Sequence, residues 1–222
     1  MKKAVCIVSG GMDSAVAAKI AKDEGYSIVS VHFNYGQRTE SKELASFRAV
    51  SDAVGAEQKY EIDLPFFKSV GCSALTDKSI AVPIGGIEDG VPVTYVPFRN
   101  GIFLSIATAI AEKEGATAVV IGAVEEDSSG YPDCTEDFLS SFEATANQGT
   151  KKDTQIKIYA PLLHKYKKEI VSEGLRRGID LSLTWSCYQN EQIACGVCDS
   201  CRLRLKGFAE AGAEDKIAYT TR

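Results

Sequence analysis

Apolar runs of strand length alternate with longer amphipathic stretches along most of this chain, and that rhythm restricts its fold more than any other feature. Strand-like runs fall near 3–8, 27–33, 58–63 and 118–122, with helical patterns near 13–24, 40–54, 101–114 and 135–147. Strand–helix alternation predicts an α/β fold, an open, mostly parallel sheet with helices on both faces. A further helical pattern near 165–177 precedes a cluster of cysteines. With 222 residues, 45% of them apolar, the chain can bury a real core, which excludes a disordered or fibrous class. The expected organisation is a single domain over 1–222, with an α/β core at 1–150 and a small C-terminal helical segment at 160–222. After Asn100, the residues Ile102, Phe103, Ile106, Ala109, Ile110 and Lys113 predict one helix face turned toward the sheet, with Asn100 as its cap. Segment 83–92 has turn residues and no period, and reads as a loop or lid.

The first predicted turn carries chemistry. Ser9-Gly10-Gly11-Met12-Asp13-Ser14 lies between an apolar strand and an alanine-rich helix. Two glycines let the backbone approach an anion closely, and the helix that follows aims N–H groups and positive dipole at it. Ser9 and Ser14 add hydroxyl donors. Walker A spacing and its lysine are absent, as is the GxGxxG of dinucleotide folds. The turn resembles the SGGxDS motif of PP-loop ATP pyrophosphatases, whose fold is adenine nucleotide alpha hydrolase-like. The resemblance implies that ATP binds along Val8, Ser9, Gly10, Gly11, Met12, Asp13, Ser14, Ala15, Val16, Ala17 and Ala18. In that family the turn holds the pyrophosphate released when a substrate oxygen attacks the α-phosphorus. Asp13 accepts hydrogen bonds only, which suits Mg²⁺ or ordering of the turn better than phosphate contact. The plain alternative is an ordinary capped strand-to-helix turn.

Cys187, Cys195, Cys198 and Cys201 are spaced C-x7-C-x2-C-x2-C, with Gly196 inside the tight part and Asp199 placed to cap a following helix. Four thiolates so spaced can close a tetrahedral shell around one structural Zn²⁺ per chain, leaving no open position for catalysis. An iron–sulfur cluster is the competing metal reading. With no export signal after Met1, the seven cysteines should be reduced, in a cytoplasmic protein. No run approaches membrane-spanning length, and no membrane partner is expected. A balance of 25 basic to 30 acidic residues gives no general attraction to nucleic acid, and no nucleic-acid partner is expected.

Three loops carry polar residues where core packing would not put them: His32 to Arg38, Val96 to Asn100, and Asp127 to Cys134. At the carboxyl ends of parallel strands they would border one crevice beside the phosphate turn. Six motifs in order, SGGMDS, FNYGQR, VPFRN-GIFLS, Gly-Tyr-Pro-Asp-Cys, Pro161 to Lys168, and Ser186-Cys187-Tyr188 leading to CGVCDSC, resemble the 7-cyano-7-deazaguanine synthase family over nearly the whole chain. One departure is Phe98, where the family usually has glycine; a side chain there would narrow the pocket or shift the loop.

The resemblance implies an ATP-dependent ligase that converts 7-carboxy-7-deazaguanine and ammonia to the 7-cyano base. Adenylation would make an oxygen a leaving group twice, on the carboxylate and then on the amide. It further implies ATP with Mg²⁺, zinc, and a homodimer. No glutaminase domain fits in the chain, so free ammonia is the expected nitrogen source. Asp13, Ser14 and Arg99 are the expected catalytic residues. Substrate would be met by Tyr35, Gln37, Arg38, Asn100, Asp127, Tyr131 and Asp133: arginines on triphosphate or carboxylate, Asp127 or Asp133 on the guanine-like N–H edge, Tyr35 or Tyr131 stacked on the ring. The arginines also have a plain reading as surface or salt-bridge residues, and the tyrosines as half-buried packing residues. Lys165 and Lys168 are solvated or touch phosphate, and His32 and His164 are structural. Two other readings stand beside this one: a PP-loop tRNA-modifying sulfur transferase, and a zinc-ribbon nucleotide-binding module.

Overall fold

The computed structural model describes residues 2–84, 90–125 and 130–221. Five parallel strands form one sheet in the order β3-β2-β1-β4-β5, with β1 at Lys3–Ile7, β2 at Ser27–Asn34, β3 at Gln58–Asp63, β4 at Ala118–Val120 and β5 at Lys157–Tyr159. Helices α1 (Met12–Asp23), α2 (Glu40–Ala53), α3 (Phe67–Val70), α4 (Arg99–Glu114), α5 (Glu136–Gly149), α6 (Lys167–Arg176) and α7 (Asp199–Glu210) complete it. Strand order departs in both directions from β1, which pairs with β2 on one side and β4 on the other. Ligands of open α/β sheets sit outside the carboxyl ends of the strands at such a switch point.

Alternate residues of the central strands serve two cores. Ala4, Cys6, Val8, Ile28, Ala118 and Val120 pack with α1, with Phe47 and Val50 of α2, and with Ile170 and Val171 of α6. Val5, Ile7, Val29, Val31, Phe33, Val119 and Ile121 pack with Phe103, Leu104 and Ala107 of α4 and Leu139 of α5. Burial on both faces accounts for the unbroken apolar runs of β1 and β2. Outer strand β3 is charged, with exposed Gln58, Lys59, Glu61 and Asp63, which discourages pairing with a further strand.

The α/β expectation holds, and several local expectations change. The face of α4 turned to the sheet is Phe103, Leu104, Ala107, Ile110 and Ala111, whereas Ala109 and Lys113 are exposed. Asn100 does not cap α4: it lies inside the helix, and Phe98 is the N-cap at φ 53°, ψ 26°. Asp199 is likewise the first residue of α7, behind Cys198 as cap. β5 buries only Ile158 of its three residues and α3 spans four, so neither writes an apolar run or period into the sequence. In the 83–92 loop, residues 85–89 lie outside the described residues, as does Asp127.

Phe98 occupies the left-handed region that only glycine enters freely. A glycine would take this backbone conformation without strain. The Phe98 ring lies over Gly101 and packs edge-on against Phe138, centroids 5.8 Å apart. It is about half exposed and is not among the residues lining the crevice described below, so it does not narrow that pocket.

Candidate active site

A crevice of about 260 Å³ opens at the carboxyl ends of β1, β2 and β4. Its floor is the turn from β1 into α1. Gly10 takes φ 87° where a Cβ would run into the carbonyl of Glu43, so glycine is required there. Ser14 closes the turn on itself: its hydroxyl donates to the Gly11 carbonyl at 2.9 Å and accepts from the Ser9 amide at 3.2 Å. The Gly11 amide donates to Ser9 Oγ at 3.2 Å. Opposite, a Cβ on Gly122 would lie 2.7 Å from the Ser14 amide nitrogen, so the bare backbone after β4 lets α1 start directly beside it. Val8, Ser9, Gly11, Met12, Asp13 and Ser14 line the crevice, whereas Ala15, Val16, Ala17 and Ala18 are buried in the core beneath.

Asp13 receives Lys167 Nζ at 2.6 Å on Oδ2, while its Oδ1 is buried without a hydrogen-bond partner. An orphaned carboxylate oxygen beside a phosphate-type turn fits a hard cation. Lys167, not Lys165 or Lys168, is the lysine of the site. It heads the buried face Lys167, Ile170, Val171, Gly174 of α6, and a lysine on an apolar helical stripe is the signal that would have found it. His32 is buried in the crevice wall, its Nδ1 3.0 Å from the Val8 carbonyl and its ring stacked on Phe47. Burial holds its pKa below the usual value, so the imidazole stays neutral. His164 is exposed beside Glu136.

The second wall comes from the loop after β2. Tyr35 is buried, and its hydroxyl accepts from Arg99 at 3.1 Å with the guanidinium above its ring. Gln37 accepts from the Tyr35 amide and donates to Glu43 at 3.2 Å, and Thr39 donates to the other Glu43 oxygen at 2.7 Å. Burial pushes the Glu43 carboxyl up to about 7, against the hydrogen bonds from Thr39 and Gln37 and the charge of Arg99. Glu43 sits one turn into α2 and carries no motif signal; the expected site did not include it.

The other expected substrate residues divide. Tyr131 lines the crevice, its hydroxyl 2.9 Å from Thr94 Oγ1. Asn100 and Cys134 line it too, joined by Asn100 Nδ2 donating to Cys134 Sγ at 3.1 Å. Asp133 does not face the crevice: its carboxylate accepts from the Asn100 amide at 2.8 Å and fills the cap position at the start of α4. Arg38 touches the rim, but its guanidinium donates to the carbonyls of Ala74, Asp77 and Ile80. It fastens that loop instead of offering a free fork to an anion.

The four cysteines are buried with their sulfurs all within 4.8 Å of one another, close enough to share one ion. Amides of Gln189, Asn190 and Cys195 donate to Cys187 Sγ, as suits a thiolate. Gly196, at φ 79°, lies so close to the Thr221 backbone that no Cβ fits. This knuckle is tied to the crevice through the Trp185 amide, which donates to the Gly10 carbonyl at 2.8 Å, and the Thr39 hydroxyl, 3.2 Å from the Cys187 carbonyl. Tyr188, beside Cys187, lines the crevice.

Residues 3–212 match the family model described as "Queuosine biosynthesis protein QueC". A 7-cyano-7-deazaguanine synthase of a Nitratiruptor species is 64% identical over 217 residues, covering 98% of this chain and 98% of that one. The synthase of the same name from a Sulfurovum species is 63% identical over 218 residues, with 98% of each chain covered. Among solved structures, a 4-thiouridine synthetase–RNA complex with bound ATP aligns at TM-score 0.57 and 22% identity, over 95% of this chain and 50% of that one. NMN synthetase from Francisella tularensis aligns at TM-score 0.50 and 15% identity, over 97% of this chain and 79% of that one. These two share the fold; the sequence relatives carry the function, and they do not favour the sulfur-transferase reading. The glycine turn after β1, the buried four-cysteine knuckle and the near full-length identity converge: the chain belongs to the QueC family of 7-cyano-7-deazaguanine synthases.

Proposed function

We propose that this chain makes 7-cyano-7-deazaguanine from 7-carboxy-7-deazaguanine, ammonia and ATP, activating first the carboxylate and then the amide by adenylation in one crevice. The observation that carries this reading is the Ser9–Ser14 turn at the sheet's switch point, whose glycine geometry brings bare backbone and the start of α1 to the crevice, as a phosphate cradle requires. Pyrophosphate leaving the α-phosphorus would be held by the turn's N–H groups and by Ser9 and Ser14. Lys167 is placed to add positive charge beside them. Asp13, with its free buried oxygen, would hold Mg²⁺, which neutralises phosphate charge when bound. Arg99, fixed above Tyr35 and Phe103, faces the substrate end with a fork suited to a carboxylate, and its Nε has no partner within the protein. Tyr131 and Tyr188 offer the aromatic surface for a bicyclic base.

The four thiolates would hold zinc as a structural ion, bracing the Trp185–Tyr188 wall of the crevice. We place the protein in the cytoplasm, where reduced thiols are stable, and expect a homodimer acting as one PP-loop domain per chain.

Asp13→Ala tests the assignment of the turn. Turnover should fall at least a thousandfold while metal content stays at one ion per chain; a variant retaining full activity overturns the placement of the phosphate site.

A further inference from the structure

Two carboxylates line the crevice among the described residues, Asp13 and Glu43, and they are held in opposite ways. Asp13 is paired with the Lys167 ammonium. Glu43 has only neutral hydrogen-bond donors, the Thr39 hydroxyl on one oxygen and the Gln37 amide on the other. Arg99 is near enough to act on it by charge but makes no hydrogen bond with it, and Glu40 of its own helix opposes its ionisation. The Tyr35 phenol, pushed up to about 12 chiefly by burial, is neutral and adds no charge. Glu43 is thus a carboxylate on the crevice wall that no cation clamps in its ionised form, and the phosphate cradle does not use it.

Amide and nitrile formation both need a group to take protons. When ammonia attacks the acyl adenylate, a C–N bond forms and the nitrogen becomes cationic. It must lose a proton before the tetrahedral intermediate collapses, breaking the C–O bond and releasing AMP. In the second cycle the amide oxygen carries AMP, and both nitrogen protons have to leave as that C–O bond breaks to give C≡N. We infer that Glu43 is the general base of both nitrogen steps, accepting these protons singly at its carboxylate from a position fixed by Thr39 and Gln37. The inference rests on the proposed substrates. A base titrating near working pH, as burial makes Glu43, can both take a proton and hand it to solvent. Glu43 is then a catalytic residue, and Thr39 and Gln37 are positioning residues.

The test separates adenylation from the nitrogen steps. Glu43→Gln should keep ATP–pyrophosphate exchange driven by 7-carboxy-7-deazaguanine within about threefold of wild type, and lose at least about a hundredfold in amide and nitrile formation from ammonium. Hydroxylamine, uncharged at neutral pH and giving a far more acidic adduct, should trap the acyl adenylate of the variant at near wild-type rate. Glu43→Asp should regain part of the ammonia-dependent rate. In the wild type, with free ammonia held constant, the amidation rate should fall on the acid side of about 7, and the hydroxylamine rate should not. Ammonia-dependent activity of Glu43→Gln within threefold of wild type, parallel loss of exchange and amidation, or a flat wild-type profile would each overturn the role. Absence of carboxylate-driven exchange in the wild type would overturn the substrate reading, and this inference with it.

Discussion

Glu43 and Phe98 show how single residues carry strain or charge that the fold tolerates. The raised pKa of Glu43 means that the folded chain binds its proton more tightly than the unfolded chain does. Stability should therefore fall as pH rises from the ordinary carboxylate range through about 7, because ionisation is resisted only in the folded state. Glu43→Gln should flatten that slope, so thermal melts at pH 8 should place the variant above wild type and melts at pH 5 should bring the two together. Phe98 pays for its left-handed backbone with a half-exposed ring packed on Phe138. Phe98→Gly should change stability by no more than about 1 kcal/mol, since relief of backbone strain offsets the lost ring contact and added chain entropy. Its KM for ATP should be unchanged, as steady-state kinetics can check, because the ring lies outside the crevice. The glycine departure at Phe98 was visible in sequence; its cause, a φ of 53°, was not, because nothing in the flanking residues announces a left-handed cap.

Elements meet most closely where the backbone after β4 packs against the turn from β1 into α1. Gly122→Ala would drive a methyl into the Ser14 amide and the carbonyl carbon of Asp13. We expect a loss of about 1–3 kcal/mol in chemical denaturation and a sharp rise in the KM for ATP, with the strands still formed. At the C-terminal end, fully buried Arg204 holds Asp215 through two hydrogen bonds at 2.6 and 3.0 Å and also donates to Thr184 and the Leu181 carbonyl. Arg204→Met would take the guanidinium and its two hydrogen bonds from buried Asp215, and denaturation should show a loss of about 3–5 kcal/mol. The long strands and helices were legible because burial on one or both faces writes a period into them. β5 was not, since unlike equally short but fully buried β4 it buries only Ile158 between Lys157 and Tyr159, and Arg204 was not, since a buried arginine looks in sequence like a surface one. Lys167 lay between the extremes: its place on the α6 stripe was readable, but the ion pair to Asp13, 154 residues away, needed the fold.

Across the whole molecule, the cysteine knuckle and the phosphate turn are joined without being the same site. Trp185 bridges them by its hydrogen bond to Gly10, and Tyr188 extends from the knuckle into the crevice. If the knuckle holds the proposed ion, stripping it should lower the melting temperature and weaken base binding together, readable by calorimetry on chelator-treated protein. Elemental analysis should find zinc at one ion per chain, and iron with a visible charge-transfer band would contradict that assignment. The reaction itself can be followed by mass spectrometry of purified protein given Mg-ATP, ammonium and 7-carboxy-7-deazaguanine. The amide and then the nitrile should form, with AMP and pyrophosphate in step; no nitrile, and AMP released only when tRNA is supplied, would contradict the assignment.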